Sequence, residues 1–200
     1  MKTIFIMEDH PIVSDSLSSF FNETGRWNVL GTSSTLGEAK EKIPILKEKN
    51  IDVLLMDILL PDGWGLDIVP WLKNQNYTIP LLAVYTAFDD YSYVSTALNL
   101  GVMVYLTKLR NKEKLENAIT NAFDGIICID EEAQRKINKI TSLTEMLTNR
   151  ESEILMNVKK GLTNEEIAAN LGINPRTVAN IISCILDKTG IKNRRTLERI

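Results

Sequence analysis

The chain has 200 residues and a net charge of −3, with 23 Lys and Arg against 26 Asp and Glu. Its hydrophobic content of 44% is ample for ordinary globular cores and excludes disordered and fibrous proteins. No apolar run approaches the roughly 18 uncharged residues of a membrane span, so we expect a soluble, cytoplasmic protein of one large or two small domains, with no membrane partner.

The first part of the chain alternates short apolar runs, which predict β-strands, with amphipathic segments, which predict helices. In chain order the predicted strands are 3–7, 27–31, the run that ends at Asp57, 80–85 and 102–106. A segment with apolar residues at three- and four-residue spacing follows each strand. Because parallel strands need such crossover helices, the pattern predicts an α/β domain with a five-stranded, parallel, doubly wound sheet.

Polar side chains follow four of these predicted strands, each at the point where the strand ends. They are Glu8 and Asp9, Asp57, Thr86, and Lys108. The carboxyl ends of parallel strands meet at one edge of a sheet, where open α/β sheets bind their ligands, so we expect these groups to converge. Read alone, Asp57 could instead cap a helix or form a turn.

This set of residues predicts phosphoryl chemistry. Three carboxylates repel one another unless a cation lies among them, and hard oxygen ligands suit Mg²⁺. Asp57 is then a possible nucleophile toward a phosphoryl group, as carboxylates are in aspartyl-phosphate chemistry. The ammonium of Lys108 and the hydroxyl of Thr86 could bind the oxygens of that group.

Residues 1 to about 123 resemble a response-regulator receiver domain. The resemblance lies in Glu8-Asp9, Asp57 with Pro61, Thr86, and Tyr105-Leu106-Thr107-Lys108, in the order and spacing of that family. It implies the flavodoxin-like fold of the family and phosphotransfer from a sensor histidine kinase to Asp57. It further implies that Asp9, Asp57 and the backbone carbonyl of Leu59 bind Mg²⁺, with Glu8 acting mostly through water.

The same resemblance implies a switch. After phosphorylation Thr86 would move toward the phosphate, with Ala87 beside it in the phosphate-binding loop, and Tyr105 would turn inward. Lys108 would pair with a phosphate oxygen. Taken singly, Thr86 could merely start a helix, Lys108 could be a solvated charge and Tyr105 could belong to the core.

Two neighbours of the expected site are apolar where similar proteins have polar residues that guide water. Leu59 lies two positions after Asp57, and Phe88 lies two positions after Thr86. We hypothesise that these groups exclude the attacking water and make the acyl phosphate long-lived. The single histidine, His10, is expected to face solvent or to bond locally.

Residues 126–143 are predicted to form a short, partly ordered linker to a small all-α domain, 144–200. In that domain the Thr-x-x-Glu capping boxes 148–151 and 163–166 each start a short helix. Asn174 caps a third, longer helix, with Pro175 at its first position. A short helix, a glycine-containing turn and a longer helix are typical of the helix-turn-helix, whose second helix enters the DNA major groove.

Residues 144–200 resemble the LuxR/FixJ-type, or NarL-type, DNA-binding domain. The resemblance lies in Leu147-Thr148-x-Arg150-Glu151, 161–168, Thr177-Val178 and Ile185-Leu186. This segment has 9 basic against 7 acidic residues, whereas residues 1–125 have 11 against 16, which favours a polyanionic partner for the second domain. The DNA contacts that follow are Asn164, Arg176, Thr177, Ala179, Asn180, Ser183, Lys188, Lys192, Arg194 and Arg195.

The recognition helix departs from the LuxR/FixJ pattern. Ala179 stands where a lysine is common, Ile181 where an aromatic residue or histidine is common, and Asp187 where a basic residue is common. Each lost phosphate contact lowers affinity and flattens its salt dependence. We therefore expect weak DNA binding by a monomer, and dimerisation of the phosphorylated receiver as the switch.

These observations favour a phosphorylation-switched transcriptional regulator, with no enzymatic turnover of its own, that binds double-stranded DNA as a homodimer. One alternative is a phosphatase with an aspartate nucleophile, but such enzymes place a second acid two residues later, where this chain has Leu59. Another alternative is a receiver-containing interaction protein with weakened or lost DNA binding, which Ala179 and Asp187 favour.

Overall fold

The computed structural model describes residues 1–135, 138 and 146–198. The chain divides into two compact units, Met1–Gln134 and Arg135–Ile200. Within the described residues, no helix is long and apolar enough to cross a membrane.

The first unit is an α/β domain with a parallel sheet of six strands in the order β2-β1-β3-β6-β7-β8. A separate two-stranded antiparallel hairpin, β4-β5, follows β3. In chain order the elements are β1 Lys2–Met7, α1 Pro11–Glu23, β2 Trp27–Ser33, α2 Leu36–Ile45, β3 Val53–Met56, β4 Leu59–Leu60, β5 Gly63–Trp64, α3 Ile68–Asn74, β6 Leu81–Thr86, α4 Tyr91–Asn99, β7 Val104–Thr107, α5 Lys112–Ala122 and β8 Cys128–Ile129.

The predicted fold class is confirmed: all five predicted strands are present and parallel. A sixth, Cys128–Ile129, joins them from the predicted linker and pairs with β7. A two-residue strand is too short to show an alternating pattern in sequence. The rest of the predicted linker, 136–143, lies outside the described residues except for Asn138, as do the first two residues of the predicted second domain, 144 and 145.

The two central strands, β1 and β3, are continuously apolar because both faces of a parallel sheet are covered by helices. The side chains of Ile4 to Met7 and of Val53 to Met56 are all at most 1% exposed. On one face they pack with Leu17 and Phe21 of α1 and with Leu115 of α5. This packing makes the centre of the sheet a rigid platform.

The register of the sheet aligns the strand ends. Met7 is paired with Met56, Met56 with Val84, and Thr86 with Thr107. The pairing continues for one residue beyond two of the strands, since Asp57 N donates to Met7 O at 2.9 Å and Lys108 N donates to Thr86 O at 2.7 Å. The residues that follow the strands therefore lie along one edge.

The second unit is all-helical in its described residues, and its helices are α6 Asn149–Lys159, α7 Asn164–Leu171, α8 Pro175–Thr189 and α9 Arg194–Leu197. Both predicted capping boxes are confirmed, with Thr148 paired to Glu151 and Thr163 paired to Glu166. Asn174 accepts a hydrogen bond from Arg176 N at the start of α8. Gly172, with φ of 63°, ends α7 in the left-handed region that glycine favours.

The loop after Asp57 closes tightly on itself. Gly65 N donates to Ile58 O at 2.7 Å, so the chain returns to the residue that follows Asp57. A Cβ atom at position 65 would lie 1.9 Å from Asp57 O. Only glycine permits this approach, because the obstructing atom belongs to the backbone of the sheet edge.

We therefore expect Gly65→Ala to lower the free energy of unfolding of the first unit by about 3 kcal/mol, because the loop must move away from Asp57. The measurement is urea unfolding followed by emission of Trp27, Trp64 and Trp71, which all lie in this unit. Gly37→Ala is the matched control: its Cβ would meet only the flexible Asp62 Oδ2 at 3.3 Å. Equal effects of the two substitutions would contradict the steric argument.

Candidate functional site

Asp57 lies at the carboxyl end of β3 and is only 5% exposed. Its Oδ1 atom accepts hydrogen bonds from Ile58 N and from the Thr86 hydroxyl, both at 2.6 Å. Its Oδ2 atom accepts a hydrogen bond from Lys108 Nζ, also at 2.6 Å. The predicted nucleophile, hydroxyl and ammonium are therefore in direct contact.

Lys108 links two buried carboxylates. Its Nζ atom lies 2.6 Å from Asp57 Oδ2 and 2.7 Å from Glu8 Oε2. Burial opposes the charge of Lys108, but the hydrogen bonds that it donates to Asp57 and Glu8 outweigh burial and raise its pKa. Lys108 thus stays protonated and compensates the negative charge of this edge.

A group of possible metal ligands surrounds Asp57. Glu8, Asp9, His10 and Asp57 each offer one ligand atom, and these atoms lie within 4.8 Å of one another. Asp9 Oδ1 is shielded from solvent and accepts no hydrogen bond within the described residues, although His10 Nδ1 is only 2.8 Å away. A shielded carboxylate oxygen without a donor fits a hard divalent cation.

His10 is the exposed member of this group, and Leu59 follows Asp57 by two residues. The imidazole of His10 is 68% exposed and also lies 3.1 Å from Glu8 Oε1, so it both faces solvent and bonds locally, as predicted. Leu59 opens the β4-β5 hairpin two residues beyond Asp57, and its side chain is 36% exposed.

Thr86 and Tyr105 have the inward orientations that the receiver resemblance assigns to the phosphorylated form. Thr86 is fully buried and donates to Asp57, and Ala87 after it is exposed. Tyr105 is also fully buried, and its hydroxyl donates to Phe88 O at 2.8 Å. Burial and the nearby Asp89 and other carboxylates raise the pKa of Tyr105, so it remains a donor.

Leu59 and Phe88 both have aromatic neighbours. Leu59 is paired with Trp64 across the β4-β5 hairpin. The Tyr93 ring lies 5.5 Å from the Trp64 ring and 5.5 Å from the Phe88 ring, measured between centroids. Phe88 thus belongs to an aromatic cluster with Tyr93 and Trp64, and Leu59 is paired with Trp64, which the spacing of residues did not indicate.

In the second unit, α8 buries Val178, Ile182 and Ile185 and leaves its other face exposed. Ile181, which departs from the family pattern, packs partly against the helical core, and Asp187 is exposed. Eight of the ten predicted DNA-contacting residues are exposed in this unit: Arg176, Thr177, Ala179, Asn180, Ser183, Lys188, Lys192 and Arg195.

Three of the predicted contacts, Lys188, Arg194 and Asn164, have partners within the unit. Lys188 Nζ donates to Glu151 Oε2 at 2.7 Å. Arg194 donates to Asn164 Oδ1 at 2.6 Å and also bonds Leu162 O and Glu198. These side chains would have to share or exchange partners to contact phosphate, which spacing in the sequence could not show.

Comparison with known protein families finds a matching family for each of the two units. The family described as "Response regulator receiver domain" matches residues 4–120, and "Bacterial regulatory proteins, luxR family" matches residues 145–200. The chain belongs to the response regulators. More specifically, it joins a receiver domain to a LuxR-type helix-turn-helix domain, the architecture of a phosphorylation-regulated transcription factor. This family is one of DNA-binding regulators and not a known class of enzyme.

Individual relatives are similar to this chain over almost its whole length. The transcriptional regulatory protein DesR of Bacillus subtilis is 34% identical over 97% of this chain and 93% of its own length. The response regulator protein VraR of Staphylococcus aureus is 30% identical over 97% of this chain and 92% of its own. A structure of RcsB from Salmonella enterica bound to the promoter rprA has a TM-score of 0.71 at 22% identity, covering 99% of this chain and 96% of that chain.

Glu151 organises the DNA-binding domain of this response regulator. It is 8% exposed, accepts a hydrogen bond from Thr148 N at 2.7 Å and pairs with Lys188. The Lys188 hydrogen bond, followed by that of Thr148, lowers the pKa of Glu151 from 4.5 to about 2. Because the folded pKa is depressed, the ionised carboxylate stabilises this domain above pH 4.5, and that stabilisation is lost as the pH falls toward 2.

We expect Glu151→Gln to destabilise the helical domain at neutral pH and to reduce the loss of stability that wild type shows on acidification. The measurement is helicity by circular dichroism against temperature, with tryptophan emission recording the first unit separately. Glu153→Gln is the control, because Glu153 makes an exposed ion pair with Arg150 in the same helix. Identical pH profiles of Glu151→Gln and wild type would contradict the role of Glu151.

Proposed function

We propose that Asp57 is the phosphoacceptor of this response regulator and that a sensor histidine kinase supplies the phosphoryl group. The observation that carries this proposal is the direct contact of the buried Asp57 carboxylate with both Lys108 Nζ and the Thr86 hydroxyl. A carboxylate held by a cation and a donor at a strand end is poised to attack phosphorus.

In the proposed transfer, an Asp57 oxygen forms a bond to phosphorus while the bond from phosphorus to the donor imidazole nitrogen breaks. Lys108 exchanges its contact with Asp57 for one with a phosphoryl oxygen, and the Thr86 hydroxyl donates to another. Mg²⁺, bound by Asp9, Asp57 and the Leu59 carbonyl with Glu8 nearby, would neutralise the transferred charge when present. Asp9 Oδ1, which is shielded from solvent and accepts no hydrogen bond within the described residues, supports this ligand set.

We assign the switch to Thr86, Ala87 and Tyr105, with residues 1–125 as receiver, 126–143 as linker and 144–200 as DNA-binding domain. The inward positions of Thr86 and Tyr105 support this assignment. Phosphorylation stabilises a receiver dimer, which places two recognition helices on adjacent half-sites. A structure of RcsB dimers bound to DNA provides a precedent in a protein of the same fold.

DNA recognition by each copy is proposed to be weak. The exposed residues Arg176, Thr177, Asn180 and Ser183 offer contacts to base edges and phosphates, but Ala179 adds no charge. Lys192 and Arg195 are left for the phosphate backbone, with Lys188, Arg194 and Asn164 contributing only when their partners are exchanged. Two copies linked in a dimer recover affinity through effective concentration.

The second candidate function is an interaction protein that keeps the phosphorylation switch but has lost DNA recognition. The exposed Asp187 on α8 favours it, because a carboxylate near DNA phosphates is repulsive. The internal pairing of Lys188 favours it as well. The two candidates share the receiver and differ only in the output.

We expect wild type to become phosphorylated by a small acyl-phosphate donor with Mg²⁺ and to dimerise and bind genomic DNA with beryllofluoride, a phosphoryl mimic. Asp57→Asn should not become phosphorylated, and beryllofluoride should not make it dimerise or bind DNA, since it lacks the nucleophilic carboxylate. The measurements are phosphate-affinity electrophoresis, sizing and genome-wide DNA capture. Asp67→Asn, an exposed carboxylate on the same segment, and chelation of Mg²⁺ are the controls.

Two outcomes would change these conclusions. Equal dimerisation and DNA binding by wild type and Asp57→Asn would refute the switch. A dimer that forms with beryllofluoride but captures no DNA would favour the interaction protein over the transcription factor.

We expect the phosphorylated protein to persist for minutes or longer without kinase, because Leu59 and its aromatic neighbours exclude the attacking water. Leu59→Asn, which offers a polar group to that water, should accelerate dephosphorylation about tenfold or more. The measurement is decay of the phosphorylated band after removal of the donor. Ile45→Asn, at an apolar position of α2 that is 79% exposed, is the control. A wild-type half-life of seconds would rule the mechanism out.

A further inference from the structure

A buried carboxylate lies in the segment that the sequence assigns to the linker. Asp130 directly follows β8 and is only 1% exposed. Its Oδ2 atom accepts hydrogen bonds from the Thr107 hydroxyl at 2.9 Å and from Arg110 Nε at 2.7 Å, and its Oδ1 atom accepts one from Arg110 Nη2 at 2.8 Å. We call Asp130, Thr107 and Arg110 the clasp.

Two residues of the clasp lie on either side of Lys108 in the chain. Thr107 precedes Lys108, and Arg110 follows it by two residues, so both arms of the loop that carries the ammonium are bound to one carboxylate. The backbone of the loop is fixed as well, since Lys108 N donates to Thr86 O at 2.7 Å and Tyr85 Oη donates to Arg110 O at 2.7 Å. The position of Lys108 opposite Asp57 thus depends on groups on three neighbouring strands.

The backbone of Asp130 continues this network in the other direction. Its N–H donates to Tyr105 O at 2.8 Å, and its carbonyl accepts a hydrogen bond from Gln134 N at 2.8 Å. Glu132 N donates to Asp130 Oδ1 at 3.2 Å. Asp130 therefore binds the strand of the switch tyrosine and also starts the turn that leads to the end of the first unit.

A buried ion pair is weak evidence for a role in stability, because desolvation of the two charges offsets much of their attraction. The bidentate geometry of Arg110 instead fixes direction, which a hydrophobic pair could not do. The side-chain partners of Asp130, Thr107 and Arg110, lie within two residues of Lys108. A positional role accounts for all these contacts.

We propose that Asp130 is a positioning residue that aims Lys108 at Asp57 and couples the phosphorylation site to residues 126–134, where the chain leaves the first unit. This inference rests on the proposed phosphoacceptor role of Asp57. A phosphoryl group brings about two negative charges to Asp57, and Lys108 follows them. Because Thr107 and Arg110 move with Lys108, the clasp carries this displacement to Asp130 and the turn after it.

The test compares full-length wild type, Asp130→Asn and Glu131→Gln. Glu131→Gln is the matched control, since it removes one negative charge from the next residue, whose ion pair with Lys114 is exposed and 3.6 Å long. Beryllofluoride affinity in the presence of Mg²⁺ is measured by tryptophan emission. Hydrogen exchange of 105–110 and of 126–134 is measured with and without beryllofluoride.

We expect Asp130→Asn to weaken beryllofluoride binding about tenfold, as loss of an outer-sphere partner does, and Glu131→Gln to leave it unchanged. In wild type, beryllofluoride should alter exchange in both segments. In Asp130→Asn the change should remain in 105–110 and vanish in 126–134. A purely structural role would lower the melting temperature but leave the second change in place.

Wild-type affinity in Asp130→Asn, or transmission to 126–134 without the clasp, would overturn the inference. If Asp130→Asn does not fold, Arg110→Lys makes the same test, because lysine keeps the charge but loses the two-pronged contact. Absence of beryllofluoride binding by wild type would instead overturn the proposed function of Asp57 and the clasp with it.

Discussion

The arrangement of the receiver depends on one compensated charge, the ammonium of Lys108 between Asp57 and Glu8. Both carboxylates are at most 5% exposed, and two buried like charges at one edge would destabilise each other without a cation. Lys108, which follows β7, is that cation, and its Nζ atom lies 2.6 to 2.7 Å from the two carboxylates. The strand register that aligns Met7, Met56 and Val84 therefore also brings the Lys108 ammonium close enough to compensate the charges of Asp57 and Glu8.

Much of this site could be predicted from the sequence because strand ends are local features. An apolar run that stops at Asp57 or Thr86 marks the edge of a parallel sheet, and the edge is shared. Asp130, by contrast, follows a two-residue strand and acts through residues more than 19 positions away, so no local pattern reveals it. The pairing of Lys188 with Glu151, across 37 positions, was hidden for the same reason.

In the second unit, a lysine that is a proposed DNA contact compensates a buried carboxylate. Glu151 closes a capping box and is buried, so removing Lys188 from it would leave a carboxylate without a cation. Lys188 therefore compensates a buried carboxylate within the unit. Arg194 also has an internal partner, since it joins α9 to Asn164 at the start of α7. Two cations that hold this small domain together are thus among the residues proposed to contact DNA.

The distribution of packing also decides which part of the receiver can respond to phosphorylation. The central strands β1 and β3 are buried on both faces and cannot shift without opening the core. The edge strand β8 has only two residues, paired at Val104 with Cys128 and at Tyr105 with Ile129. Elements with so few backbone contacts open at low cost in free energy. A displacement at Lys108 thus meets a rigid sheet on one side and a short edge strand on the other, where the hydrogen bonds of Asp130 link that strand to the lysine loop.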